Sequence, residues 1–159
     1  MFLSKLESPI GQMIIQANEM EVYCINFPDH LINENPNEIT EIAKAQFVEY
    51  FEGRRIDFDF PMFQTGTDFR KKVWHELRKI DAGKPITYAT LAKRMKNPLA
   101  IRAIASANGK NNLMIAIPCH RVIGSNGDLV GFSAGLWRKK WLLEHEAKIT
   151  SIGQSSLIL

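Results

Sequence analysis

The segment IAIPCHRVIGSNG, Ile115 to Gly127, sets a cysteine, a histidine and an arginine side by side. An apolar run leads in, reading as a buried strand, and a glycine-rich turn leads out. Cys119 has three readings: a packed core thiol, a metal ligand, or a nucleophile. Attack requires thiolate, and a thiol of pKa about 8.5 is mostly protonated at neutral pH. A nucleophilic cysteine therefore needs a base or positive surroundings. His120 and Arg121 are nearest. Neighbours on an extended strand point to opposite faces, so contact would take a bridging water or a turn at Pro118. The histidine in turn needs an acceptor to fix its tautomer, which an acid on the last helix, such as Glu146, can supply. Buried cysteines are commonly inert, so "PCH" alone leaves the packing reading ahead. One tetrahedral metal site rarely takes two adjacent residues, and further ligands are not apparent. The surroundings of a papain-like thiol protease are missing.

Elements must position these side chains. Residues 1–27 read as a small antiparallel sheet, with a turn at Pro9–Gly11, an apolar run at Met13–Ile15, a polar turn at Asn18–Glu21, then Val22 to Phe27. Cys24 falls in the last run and reads as a core thiol. A polar loop follows. Ile39, Ile42, Ala43, Phe47, Tyr50 and Phe51 then recur near helical spacing, up to Gly53. Ile56, Phe58 and Phe60 alternate like a short strand, and a boundary is placed near Gly66. Beyond it, Thr67 is expected to cap a helix bearing Phe69, Val73, Leu77 and Ile80, closed by Gly83. Thr87 caps a short helix; Asn97, Pro98 and Gly109 bracket another. Two helices joined by a tight turn predict a helix-turn-helix. The last helix should turn Trp137, Trp141 and Leu142 inward and Arg138, Lys139 and Lys140 outward. The expected fold class is α+β: an α/β domain over 1–65 (antiparallel sheet plus helix), a helical domain over 66–148, and a tail over 149–159 that carries no firm signal.

With 159 residues and 45% hydrophobic content, the chain can bury one sizeable core or two small ones. Its 23% of charged residues argues against wholesale disorder. No apolar run approaches the ~18 residues of a membrane span, and the first residues lack a signal-peptide pattern. Two cysteines exclude a disulfide framework and fit a reducing compartment, so a cytoplasmic protein is expected. The net charge of +3 hides an asymmetry. Residues 1–65 carry 4 Lys+Arg against 11 Asp+Glu, net −7; residues 66–159 carry 16 against 6, net +10. The basic half suits either a polyanion, nucleic acid first, or a plain solvated surface. Ala100, Ala103, Ala105, Ser106 and Ala107 make the second helix of the pair unusually small-sided. Reading the major groove takes Arg, Asn, Gln or Lys, and this helix offers mainly Arg102. Small residues suit close approach in a minor groove, or simple packing on a core.

The segments FRKKVWHELRKIDAGKPITYATLA, AIRAIASANGKNN, IPCHRVIGSNGDLVGFSAGL and RKKWLLEHE, in this order and spacing, resemble the O6-alkylguanine-DNA alkyltransferases. The similarity is dense from Phe69 to Glu146 and looser before, where SPIGQMII resembles the start of the family's first domain. It implies a ribonuclease H-like first domain and a winged-helix-like second. Cys119 matches the alkyl acceptor, His120 the histidine that deprotonates it through a water, and Glu146 its acidic partner. Tyr88 matches the tyrosine that hydrogen-bonds the extruded guanine. Arg102 matches the arginine that fills the vacated stack, with Ala103 and Ser106 beside it and Arg121 counted among the DNA contacts. Asn111 matches a brace for the cysteine loop. The carbonyls of Val122 and Cys119 would accept from the guanine amine, and the Ser133 amide would donate to O6.

The implied partner is double-stranded DNA carrying O6-alkylguanine, met by a monomer without metal or organic cofactor; activity on O4-alkylthymine stays open. The alkyl group lies inside the duplex, so the base must be extruded. In-line displacement then leaves a thioether with no easy hydrolysis, hence one turnover. Three positions depart from the family pattern. Asn112 stands where proline is common, Phe132 where tyrosine is common, and Ala105 and Ser106 where some members have glycines. Two rival readings remain: a damage-binding relative that lacks the acceptor cysteine, which Cys119 argues against, and a helix-turn-helix regulator, which lacks base-reading side chains here.

Overall fold

A computed structural model describes residues 1–158, with side chains through Ser151. The chain forms two compact units. The first comprises Met1–Thr65 and Asn112–Ala116, the second Gly66–Asn111 and the chain from Ile117 onward.

In the first unit β1 (Phe2–Ser8), β2 (Gly11–Ala17) and β3 (Val22–Asn26) form an antiparallel sheet in that order. Ser8 pairs with Gly11, so the expected turn is a two-residue hairpin. α1 (Glu38–Phe51) packs on β1 and β2. Its start is locked by a capping box. The Asn37 side chain accepts from the Thr40 N–H at 2.9 Å, and Thr40 Oγ1 accepts from the Asn37 N–H at 3.0 Å. Ala43, Phe47 and Tyr50 are buried as expected, but Ile42 lies outside the stripe at 41% exposed.

The expected strand at Ile56–Phe60 does not form. Phe58 and Phe60 are buried against Phe47, with ring centroids 4.6 and 5.9 Å away. The backbone is fixed by a side chain instead of a ladder: the Gln46 amide donates to the Asp59 carboxylate, and the Asp59 N–H donates to Gln46 Oε1 at 3.1 Å. Alternating burial thus arises without strand pairing. Leu113 to Ile117 is likewise buried without being a strand. Ile115 sits at φ +71, and only an isolated bridge joins Leu113 to Ile25. Asn112, where proline is common in the resembled family, uses the N–H that proline lacks to donate to Gln64 Oε1 at 2.9 Å. Cys24 is half-buried, less enclosed than a core thiol.

The second unit starts with α2 (Asp68–Leu77). Thr67 caps it, accepting from the Arg70 N–H at 3.2 Å. The helix closes at Arg78, before Ile80 and Gly83, because Lys79 and Ile80 turn back onto Glu76 and Leu77. Gly83 is still required, at φ +78, where a Cβ would clash with Thr150 Oγ1. β4 (Ile86–Thr87) leads into α3 (Tyr88–Arg94), capped by Thr87. α4 (Ile101–Gly109) begins later than the Asn97–Pro98 signal predicts. Its cap position is Ala100, which makes no side-chain bond, and Asn97 to Ala100 form a separate turn. A 3-10 turn (Cys119–Arg121) runs into β5 (Val122–Ile123), which pairs parallel with β4. α5 (Leu136–Ile158) continues past Glu146 through most of the expected tail. Its inner face is a correction to the sequence reading. Trp137 is 56% exposed and Lys139 is fully buried, while Leu142 is buried as expected. Among the described residues no helix is long and apolar enough to cross a membrane.

Candidate active site

Cys119 opens the 3-10 turn at Pro118, so Cys119, His120 and Arg121 do not alternate as on a strand. All three are buried. Glu146, on α5, meets the other two. His120 Nε2 lies 2.9 Å from Glu146 Oε2; Arg121 donates through Nε to Oε1 at 2.8 Å and through Nη2 to Oε2 at 3.0 Å. Arg121 Nη1 also donates to the Ile80 carbonyl at 2.7 Å. Arg121 is therefore committed inward, which corrects its expected place among the DNA contacts: it braces the acid that orients the histidine.

Burial by itself pushes the Glu146 carboxyl up. The charge and hydrogen bonds of His120 and Arg121 outweigh it and hold the group well below the usual carboxylate range. In the neutral ring, the form that can take up a proton, an ionised Glu146 makes Nε2 the nitrogen that carries hydrogen. Nδ1 is then the acceptor; it is buried and makes no hydrogen bond among the described residues.

Burial pushes the Cys119 thiol up, while a hydrogen bond from Asn111, the charge of Lys139 and a backbone hydrogen bond pull the other way without reversing it. The resting sulfur is a thiol, and its proton must be removed for it to react. Asn111 also donates through Nδ2 to the Ile117 carbonyl at 2.8 Å, which ties the cysteine loop to the end of α4.

Two contributors escape the sequence reading. Lys139 reaches inward and donates to the carbonyls of Val122 at 2.7 Å and Val130 at 2.8 Å. Burial lowers its pKa, and a charge on the nearby Cys119, once the sulfur ionises, opposes this. Asn108, on the inner face of α4, donates through Nδ2 to Tyr88 Oη at 3.0 Å and to the Cys119 carbonyl at 3.2 Å. An asparagine within a helix beside Gly109, in a residue class that helices disfavour, is the available signal. The Cys119 carbonyl thus accepts from Asn108 and the Val122 carbonyl from Lys139; a carbonyl oxygen carries two lone pairs. Burial pushes the Tyr88 hydroxyl up, a hydrogen bond from Asn108 opposes this, and a charge on Cys119, once the sulfur ionises, adds to it; the group stays a protonated donor.

Arg102, Ala103 and Ser106 share the exposed face of α4, and Ile104, Ala107 and Asn108 the buried one. Trp74 Nε1 donates to the Ala107 carbonyl at 2.9 Å and fixes α2 against α4. Ser133 is exposed and Phe132 half-buried, in the loop before α5. Among the described residues, no group of three His, Cys, Asp or Glu could hold a metal ion.

Together these parts define a helix-turn-helix protein built around a buried cysteine and a buried histidine–glutamate pair. Residues 68–148 match the DNA-binding domain of 6-O-methylguanine DNA methyltransferase, and residues 1–63 its ribonuclease-like domain. A methylated-DNA–protein-cysteine methyltransferase of Methanosarcina acetivorans is 39% identical, over 92% of this chain and 98% of the relative. The constitutive enzyme of that name from Bacillus subtilis is 35% identical over 83% and 86%. The crystal structure of Mycobacterium tuberculosis OGT in complex with DNA superposes with TM-score 0.83 and 33% identity, covering 91% of this chain and 92% of that one. The chain belongs to the methylated-DNA–protein-cysteine methyltransferase family.

Lys139→Met should slow reaction at Cys119 roughly tenfold or more, because the sulfur loses the nearby cation that favours its thiolate. Single-turnover transfer rates measured against pH check this: the variant's rate should rise at higher pH than the wild type's.

Proposed function

We propose that the protein repairs DNA by taking the alkyl group of O6-alkylguanine onto Cys119, once per molecule. The observation that supports this reading most is a buried thiol followed in the chain by a buried histidine whose Nε2 is held by ionised Glu146 and whose Nδ1 is left as an acceptor.

The steps follow from these groups. His120 Nδ1 takes the thiol proton, through a water where the direct reach is too long. The sulfur attacks the alkyl carbon in line with the C–O6 bond. An S–C bond forms, the C–O6 bond breaks, and its electron pair stays on guanine. Tyr88 O–H and the Ser133 N–H stabilise the charge developing on the leaving base, and the proton passes to it. The Cys119 and Val122 carbonyls accept from its exocyclic amine. Asn111 and Lys139 stabilise the thiolate. The thioether that results has no leaving group for water to displace.

The exposed face of α4 enters the minor groove. Its small residues allow close approach, and Arg102 fills the space left by the extruded base. DNA contact and chemistry both fall within 66–148, on the basic side of the boundary near Gly66. The protein acts as a monomer, and its two free thiols suit the reducing cytoplasm.

Duplex DNA carrying radiolabelled O6-methylguanine tests the reading. The label should appear on the Cys119 peptide and plateau at one per protein; DNA binding without transfer would overturn it. Arg102→Ala should lower transfer from duplex at least tenfold and from single-stranded DNA much less, since a single strand leaves no stack to fill. Equal rates on both would remove Arg102 from base extrusion.

A further inference from the structure

One cationic feature of the second unit takes no part in the site just described. Lys71, Lys72, His75 and Glu76 on α2, with Arg94, Met95 and Lys96 at the end of α3, line an open groove of about 390 Å³. Glu76, the one carboxylate in this lining among the described residues, is paired with Lys79 at 2.9 Å. Lys71, Lys72, Arg94 and Lys96 make no ion pair or side-chain hydrogen bond among the described residues. Four like charges are gathered around one concavity whose lining carboxylate is already paired, an arrangement that a bound anion relieves.

The backbone supplies a second, independent observation. α3 ends with the Lys96 N–H donating to the Lys93 carbonyl at 2.9 Å and the Asn97 N–H to the Ala92 carbonyl at 2.9 Å. This closure puts Lys96 at φ +58, a left-handed position where glycine is the usual residue. A lysine is held there at the groove's edge although its Cβ disfavours the conformation. The same turn leads directly into α4, the helix whose Arg102 face is assigned to DNA.

We propose that this groove is a phosphate site that holds the DNA backbone outside the guanine pocket, so that α2 and the α3–α4 turn grip the duplex while α4 lies in its groove. Aliphatic lysine stems and Met95 form the floor, and the ammonium and guanidinium groups reach the phosphate oxygens. The contact carries no sequence information, in keeping with a protein that must find damage anywhere. The proposal rests on the reading that the ligand is DNA, but it is measured without alkyl transfer.

Binding of undamaged duplex as a function of salt is the test, with a triple variant (Lys71→Ala, Lys72→Ala, Arg94→Ala) and Lys96→Gly. For every phosphate that a variant no longer neutralises, the slope of log K against log salt should become shallower by roughly 0.9. The triple variant should bind at least tenfold more weakly at low salt. Lys96→Gly should weaken binding while melting at the same or a higher temperature, which a merely structural role would not produce. Transfer from free O6-benzylguanine, a substrate without phosphate, should match wild type in both, showing the cysteine site intact. Inorganic pyrophosphate separates the two sources of phosphate. Competition with duplex in the wild type, absent in the triple variant, supports the proposal. Wild-type slope and affinity in the variants overturn it, including where pyrophosphate still binds. Failure of the wild type to transfer from any substrate would overturn the Cys119 reading and leave the slope comparison standing.

Discussion

Cys119→Ser should abolish alkyl transfer while the protein still folds and binds O6-methylguanine DNA. A hydroxyl in this position stays protonated throughout the range in which the fold survives, and the neighbouring imidazole is too weak a base to ionise it. Oxygen is also the poorer nucleophile toward saturated carbon. The fold should tolerate the change, because the ion-paired network does not run through the sulfur and its partner Asn111 is also held by the Ile117 carbonyl. Glu146 is held by His120 and Arg121, and Lys139 by the Val122 and Val130 carbonyls. Serine is slightly smaller and retains an acceptor for Asn111. The expected result is no label on the protein after prolonged incubation, an unchanged band shift, and a melting temperature close to wild type. Any label on the serine variant would reveal a second acceptor.

Glu146→Gln should damage both stability and chemistry. Among the described residues Glu146 is the one carboxylate that meets the buried Arg121 guanidinium and the His120 imidazole. Glutamine keeps the shape but not the charge, and its NH2 faces a donor whichever way it turns. Removing one partner of a buried ion pair costs about 3–5 kcal/mol, and loss of the oriented base about 10²–10⁴ in rate. Urea unfolding and single-turnover transfer measure the two separately. The pH dependence gives a third check. The folded carboxyl lies below its unfolded value of about 4.3, so the unfolded state binds the extra proton first as pH falls. The stabilisation is complete at neutral pH and is lost as pH falls from about 4.3 toward the folded pKa. Wild type should therefore weaken through that window, and the variant, already weak, should weaken less.

Local signals are readable where a single residue decides the geometry. Thr67 and Thr87 cap helices because a hydroxyl and an N–H three residues on suffice. Asn97 carries an equally good signal and is not used. Lys96 turns the chain left-handed before it, so α4 starts four residues later. The last helix shows the limit of periodicity. Hydrophobicity alone sends Trp137 inward and Lys139 outward, yet Lys139 goes inward because carbonyls from Val122 and Val130, remote in sequence, converge on its ammonium. Tertiary partners of this kind leave no trace in a local pattern. The same holds for Arg121, whose inward turn depends on Glu146, 25 residues away. The pairing of His120 with Glu146 is legible through family resemblance, and the 3-10 turn that makes it possible only as one option at Pro118.

α4 is a single nine-residue rod with two jobs. Its outer side carries Arg102, Ala103 and Ser106, and its inner side holds Tyr88 and the cysteine carbonyl through Asn108. At 1.5 Å per residue, Arg102 and Asn108 are about 9 Å apart along one axis. Under the proposed function, affinity and reactivity are therefore mechanically geared together. Substitutions that tilt or fray this rod should degrade both at once, so mutational drift has little freedom to trade one for the other.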